Sequence, residues 1–249
     1  YLSQEEVDRA IRAVAWATAN EKTFTRLARM GVEESGLGDW QGRPNKRFKI
    51  KGVLRDALRQ KSVGIVEEIP EKGLVKYAKP VGVIAALVPT TNPALTPPGM
   101  GIYALKAKKA VVFSPHPRAK QTTIETVGIM RRALKRIGLP EDLYVCAEKP
   151  SIPLAQELMA ICDLTIATGG PAIAKDSHSS GKPAYAACQG NSTMIIDETE
   201  LSRARATMAR TACAPRSPSR LDAAAKATSG RPTTSSHGTK PTNTRFRAR

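Results

Sequence analysis

An α/β chain built on a parallel sheet with flanking helices is the fold that three features of these 249 residues predict. Residues 81–88 (VGVIAALV) are apolar with no polar alternation, the pattern of a strand covered on both faces. From residue 81 onward strand-like runs alternate with helical ones, as in βαβ units. That first strand breaks at Pro89 into a short polar loop carrying Thr90, Thr91 and Asn92, and ligands of parallel sheets sit at such carboxyl ends.

The chain opens with Ser3-Gln4-Glu5-Glu6, the S-x-x-E spacing of a capping box. Val7, Ile11 and Val14 follow on one helical face. A second helix carries Phe24, Leu27 and Ala28 and is predicted to end near Gly31; after a basic segment (residues 43–51), Leu54, Ala57 and Leu58 mark a third. Residues 63–69 and 74–78 read as a hairpin joined by Pro70-Glu71-Lys72-Gly73, with Pro and Gly at favoured turn positions. Strands are then predicted at 81–88, 110–113, 143–147 and 164–167, and helices near 96–107, 119–137 and 153–160. The helix with Ile124, Val127, Leu134 and Ile137 on one face is stopped by Gly138 and Pro140. A further strand-like run spans 193–196. Right-handed crossovers put the helices on the sheet faces.

Composition narrows the function classes. The chain is 41% hydrophobic and 24% charged, enough for one large core or two smaller ones. No apolar run has membrane-span length and no signal segment opens the chain, so the default compartment is cytoplasmic, although the first residue is Tyr1 rather than Met. Cys146, Cys162, Cys188 and Cys213 lie far apart without a CxxC pair, which argues against zinc and against a disulfide scaffold. The net charge of +17 looks like a nucleic-acid signature, but it is concentrated. Residues 203–249 hold 11 Lys/Arg against the single acid Asp222. This tail has one aromatic, Phe246, and no RNA-binding motif, so no specific nucleic-acid partner is expected. It is also too poor in large apolar residues to offset an ordering cost of roughly 1 to 2 kcal/mol per residue, and reads as disordered.

Three loops carry polar chemistry. Asn92, before Pro93, fits either an Asx turn or an oxyanion donor whose amide N–H faces developing negative charge. Thr168-Gly169-Gly170-Pro171 joins a strand to a helix start, which suits a tight turn or a phosphate held by backbone N–H groups. Ser114-Pro115-His116-Pro117-Arg118 follows the second strand, either as a rigid connection or as a place for a ribose. Ser179-Ser180-Gly181-Lys182-Pro183 and Gln189-Gly190-Asn191 read as turns.

Taken in order, these segments resemble the aldehyde dehydrogenase superfamily, and within it the CoA-acylating branch, over residues 1–200. The resemblance is strongest in KYAKPVGVIAALVPTTNPA, AVVFSPHPRAK, Lys149-Pro150-Ser151-Ile152 before the QEL at 156–158, DLTIATGG and SSGKPAY. The opening helices and VEESGLG are most similar to acylating sulfoacetaldehyde or acetaldehyde dehydrogenases. It implies an aldehyde-dehydrogenase-like, Rossmann-type domain at 1–200 that includes the N-terminal helical segment 1–62. Residues 201–249 then form a basic tail without the catalytic domain. It implies NAD or NADP as cofactor, coenzyme A as co-substrate, a small aldehyde as substrate, a homo-oligomer, and neither metal nor membrane. It makes Asn92 the oxyanion donor, with Pro89, Thr90 and Thr91 on the nicotinamide side. It puts Ser114 and His116 near the adenosine ribose, and Thr168, Gly169, Gly170 and Pro171 beside the pyrophosphate.

The chain also departs from the family. Where ordinary aldehyde dehydrogenases have the water-activating glutamate of an ELGG motif, the resemblance puts Ala187, in keeping with transfer to a CoA thiol instead of hydrolysis. Residues 186–189 lack the branch's glycine-rich GxGxGN. The family reaction is implied to run by thiolate attack on the aldehyde, hydride transfer from the thiohemiacetal, and capture of the thioester by CoA. No segment resembling KTFDNGxxCxSE is present to supply that thiolate, and Cys213 lacks the flanking pattern. The change of character near residue 201 is what a shifted reading frame or a truncated gene would produce. Restoration of the family motif in another frame of the coding DNA is the test, and a single clean frame to a natural stop would sink it.

Overall fold

A computed structural model describes residues 2–188 and 190, all within the first of two compact units, Tyr1–Thr193. The expected 193–196 strand, Asn191, Cys213 and the basic tail lie outside the described residues. Helix α1 (Gln4–Ala19) starts with the predicted capping box: Ser3 Oγ accepts from Glu6 N at 3.2 Å, and Ser3 N donates to Glu6 Oε2 at 2.7 Å. Helix α2 (Glu21–Ser35) runs a full turn beyond the expected end at Gly31 and stops at Gly36, in the left-handed region at φ 68°. Gly31 marks a close approach instead of a terminus. A Cβ there would lie 3.2 Å from Pro93 Cγ and 3.5 Å from Thr122 Cγ2.

A 3₁₀ turn, Arg43–Lys46, leads into α3 (Arg47–Arg59). The hairpin forms as β1 (Ile65–Ile69) and β2 (Leu74–Tyr77), an antiparallel ribbon whose side chains are mostly exposed. Then the alternation begins: β3 (Val83–Val88), α4 (Thr96–Lys106), β4 (Ala110–Pro115), α5 (Lys120–Arg136), β5 (Tyr144–Cys146), α6 (Ile152–Ile161), β6 (Leu164–Thr168), α7 (Pro171–His178) and β7 (Ala184–Ala187). All four predicted strands of this region are present. The strand expected from residue 81 starts at Val83, because Gly82 turns at φ 110° against the Asp163 carboxylate, which accepts from Val83 N at 2.7 Å. β7 was not anticipated; it exists through backbone pairing with β6, from Thr165↔Ala184 to Thr168↔Ala187.

The five strands are parallel and ordered β5-β4-β3-β6-β7, so the chain winds outward from β3 and then returns to β3's other side. Both faces of β3 are covered, which is why its sequence does not alternate. Ile84, Ala86 and Val88 face α4 and α5, behind which α1, α2 and α3 complete the main core. Ala85 and Leu87 face α6 on the other side. Ile84, Leu87 and Val88 are buried, at about 1.5 to 3 kcal/mol for each large apolar side chain removed from water. A buried ion pair between Lys106 of α4 and Asp8 of α1 ties the outer helices to the inner pair.

Candidate functional site

The return of the chain to β3 creates a topological switch point between β3 and β6, and open α/β sheets bind ligands at the carboxyl ends of such strands. The 89–92 loop leaves β3 there and the 168–171 turn leaves β6 beside it, since Leu87 and Ala167 are register partners. His116 leaves β4 on the other side and donates its backbone N–H to Val88 O at 3.1 Å. The residues singled out from the sequence therefore share one edge of one sheet.

The 89–92 loop is tied down from several directions. The backbone oxygen of Asn92 accepts from Leu95 N at 3.2 Å and Thr96 N at 3.0 Å, which starts α4. Arg43 donates through Nη1 to Thr91 O at 2.9 Å and through Nη2 to Leu37 O at 2.7 Å. Lys46 Nζ donates to Asn92 Oδ1 at 2.8 Å, and among the described residues that oxygen accepts no bond from Ala94 N, the mark of an Asx turn. Among the described residues, Asn92 Nδ2 has only a 3.4 Å contact to Thr91 Oγ1, too weak to consume its hydrogens. Phe24, Leu27 and Gly31 of α2 line a small pocket with Asn92 and Pro93. Sequence reading missed Arg43 and Lys46; the visible trace was two cations three residues apart around Pro44, at a spacing that a 3₁₀ turn stacks on one side.

The 168–171 turn is built otherwise. Gly169 donates its N–H to Ala187 O at 3.1 Å, and a Cβ there would press on Ile173 Cγ2 at 3.2 Å. Gly170 caps α7 without a side chain, is exposed, and has open space where a Cβ would be. Because Pro171 has no N–H, the first-turn donors of α7 are those of Ala172 and Ile173.

After β4 the two candidates differ. Ser114 is buried at 5% exposure, whereas His116 is exposed. His116 Nδ1 accepts from Arg118 N at 3.1 Å, which leaves Nε2 to carry the proton of the neutral ring. Partial burial, and then the Arg118 guanidinium, hold its pKa below the ordinary value. Arg118 in turn donates to Ser35 O at 2.9 Å, and Glu34 accepts from Gln121 N, Thr122 N and Thr122 Oγ1 at 2.7–2.8 Å. The end of α2 thereby organises the start of α5. Burial, with Glu148 adding to it, pushes the Cys146 thiol up to about 12, and burial also raises Cys162; both are poor nucleophiles. Cys188 is exposed just beyond β7. Among the described residues, no group of three or more His, Cys, Asp or Glu could hold a metal ion, and no helix is long and apolar enough to cross a membrane.

Parallel strands wound both ways from β3, with polar loops gathered at the switch point, define a Rossmann-type α/β domain. A model of the aldehyde dehydrogenase family matches residues 5–214, and the chain belongs to that family. It is 45% identical over 199 residues to a sulfoacetaldehyde dehydrogenase of an Acholeplasma species, covering 80% of this chain and 41% of that one. It is 42% identical over 197 residues to the acylating sulfoacetaldehyde dehydrogenase of Bilophila wadsworthia, covering 79% and 42%. Among solved structures, an acetylating aldehyde dehydrogenase from Geobacillus thermoglucosidasius superposes with a TM-score of 0.73 at 38% identity, over 76% of this chain and 42% of that one. A propionaldehyde dehydrogenase from Rhodopseudomonas palustris with bound propionyl-CoA gives 0.64 at 35% identity, over 76% and 42%. An engineered glycolyl-CoA reductase with bound NADP+ gives 0.66 at 34%, over 80% and 45%. The chain spans about four tenths of the length of these relatives.

Proposed function

We propose that this chain carries the cofactor half of a CoA-acylating aldehyde dehydrogenase, which converts an aldehyde, CoA and NAD(P) to an acyl-CoA and NAD(P)H. The observation that carries the reading is the pairing of the Asn92 loop with the Thr168-Gly169-Gly170 turn across the β3/β6 switch point. The residues present fit a dinucleotide: the open space at Gly170 and the first-turn donors of α7 suit a pyrophosphate. NAD(P), when bound, supplies the hydride acceptor. Thr168, Gly169, Gly170 and Pro171 border its phosphates, Ser114 and His116 lie toward the adenosine ribose, and Pro89, Thr90 and Thr91 shape the nicotinamide side. Asn92 Nδ2 donates to the carbonyl oxygen as negative charge develops, an effect worth about 3 to 4 kcal/mol for one such donor. Sulfoacetaldehyde and acetaldehyde are the first substrates to assay.

On this reading residues 1–200 form the cofactor domain and 201–249 a basic tail, in a cytoplasmic, homo-oligomeric protein that binds no specific nucleic acid. These 249 residues contain no KTFDNGxxCxSE-like segment, and taken by themselves they are expected to bind cofactor and to turn over weakly or not at all. NADH and NADPH fluorescence titrations test the cofactor site, and absence of binding to both would sink it. NADH formation from aldehyde plus CoA tests the rest: sustained turnover that survives Cys213→Ala contradicts the missing nucleophile. A nucleotide-binding remnant without chemistry is separated by repeating the turnover assay with a nucleophile-bearing segment supplied: the remnant still binds cofactor without turnover, whereas the acylating reading regains NADH formation.

A further inference from the structure

We infer that Lys46 and Arg43 are positioning residues for Asn92: Lys46 sets which way the carboxamide faces, and Arg43 holds the backbone that carries it. The inference rests on Asn92 acting as an N–H donor to the substrate oxygen. A carboxamide has two nearly isosteric ends, one accepting and one donating, on a terminal torsion with a broad two-fold preference. Left alone, it can present the wrong end to a developing anion.

An ammonium group has three donors and no acceptor. Lys46 Nζ, 2.8 Å from Asn92 Oδ1, can therefore hold only the oxygen, and a flipped amide would set donor against donor. With Oδ1 engaged, Nδ2 is turned away from Lys46, and the weak 3.4 Å contact to Thr91 Oγ1 does not consume its donors. The adjacent positive charge also draws electrons toward Oδ1 and makes the N–H groups stronger donors.

The second residue controls the backbone. Positions three apart in a 3₁₀ turn eclipse, so Arg43 and Lys46 leave the turn on the same side. Arg43 spans two loops, bonding Thr91 O at 2.9 Å and Leu37 O at 2.7 Å. Its path requires Gly38, where φ is 82° and a Cβ would come 2.7 Å from Nη2. Thr91 is the residue before Asn92, so the guanidinium fixes the peptide from which the carboxamide projects.

The contact can be read without turnover. In the 249-residue chain labelled with 15N asparagine, the side-chain NH2 signals of Asn92 are compared between wild type, Lys46→Met and Lys46→Arg. Lys46→Met keeps the apolar stem and loses the donor. It is expected to move both Asn92 proton resonances toward free-amide positions and to speed their exchange with water several-fold, at an unchanged thermal midpoint. Lys46→Arg restores the wild-type pattern. Asn20, whose amide donates to Trp16 O and Ala17 O, is the internal control and stays put. An Asn92 signal that is the same in wild type and Lys46→Met overturns the inference. Should Lys46→Met fail to fold, Asn92→Asp reads the contact from the acceptor side. The introduced carboxyl is expected to titrate well below the ordinary value of about 3.9, and an ordinary titration overturns the inference. Cofactor fluorescence on the same samples reports the cleft separately, so failure of cofactor binding leaves the amide result standing or falling alone.

Discussion

The 89–92 loop after β3 is held by side chains from α2 and from the 3₁₀ turn ahead of α3, whereas the 168–171 turn after β6 is held almost wholly by its own backbone. The difference follows from what each has to present. A side-chain amide keeps rotational freedom after its backbone is fixed, so its direction must be set by outside partners. Backbone N–H groups at a helix start point where the peptide planes point, and need only the absence of a Cβ in the way. One loop at the switch point is therefore crowded and the other bare.

Crowding around the first loop should make it intolerant. Gly31→Val would push into Pro93 and Thr122, and overpacking of this kind costs about 1 to 3 kcal/mol. Urea unfolding should show that loss, while Gly170→Ala in the second loop stays within about 0.5 kcal/mol of wild type. Equal losses at the two glycines would break the comparison. Gly170→Ala should instead reveal itself in binding: a methyl group beside the first-turn donors of α7 is expected to raise the Kd for NAD(P)H about tenfold, or about 1.4 kcal/mol. Unchanged affinity would reduce this turn to a connection. Arg43→Met sharpens the account of the first loop, since it removes two charge-assisted bonds from a half-buried side chain. A loss of about 1 kcal/mol in the same urea assay is expected, and wild-type stability would mean that this loop, like the other, is held by its own backbone.

The same contrast explains what could be read from the sequence. β3, β4 and β6 were legible because their side chains record burial on two faces, β5 through its apolar residues on the one face that Tyr144 and Cys146 turn to the core, and the capping box at Ser3 because its two bonds span three residues. β7 left little trace, for Ala184, Ala186 and Ala187 have almost no side chain to carry a pattern, and backbone pairing with β6 makes the strand. Gly31 was misread as a helix end because the reason for it, Pro93, is distant in sequence. The glycine pair after β6 was visible as a candidate because its chemistry is local. Asn92 was visible as well, but the choice between an Asx turn and an outward-facing amide depended on Lys46, 46 residues away, and on Arg43, 48 residues from Thr91. Positions reached through local geometry were legible; those reached through long side chains were not.

His116 stands between the two constructions, a side chain whose orientation is set by a backbone donor, and its titration is the finest test of the scheme. Partial burial and Arg118 hold its folded-state pKa below the unfolded value of about 6.5. The unfolded chain therefore takes up the proton first as pH falls, and stability declines from about pH 6.5 until the folded site is protonated too. Protonation also removes the Nδ1 lone pair that accepts from Arg118 N, so the loop loses its restraint over the same window. His116→Asn keeps a short acceptor for that N–H and cannot titrate. Its thermal midpoint should fall less between pH 7.5 and 5.5 than that of wild type, by a small margin because the ring is largely exposed. Superimposable pH profiles would mean that the neutral ring is not what the fold selects.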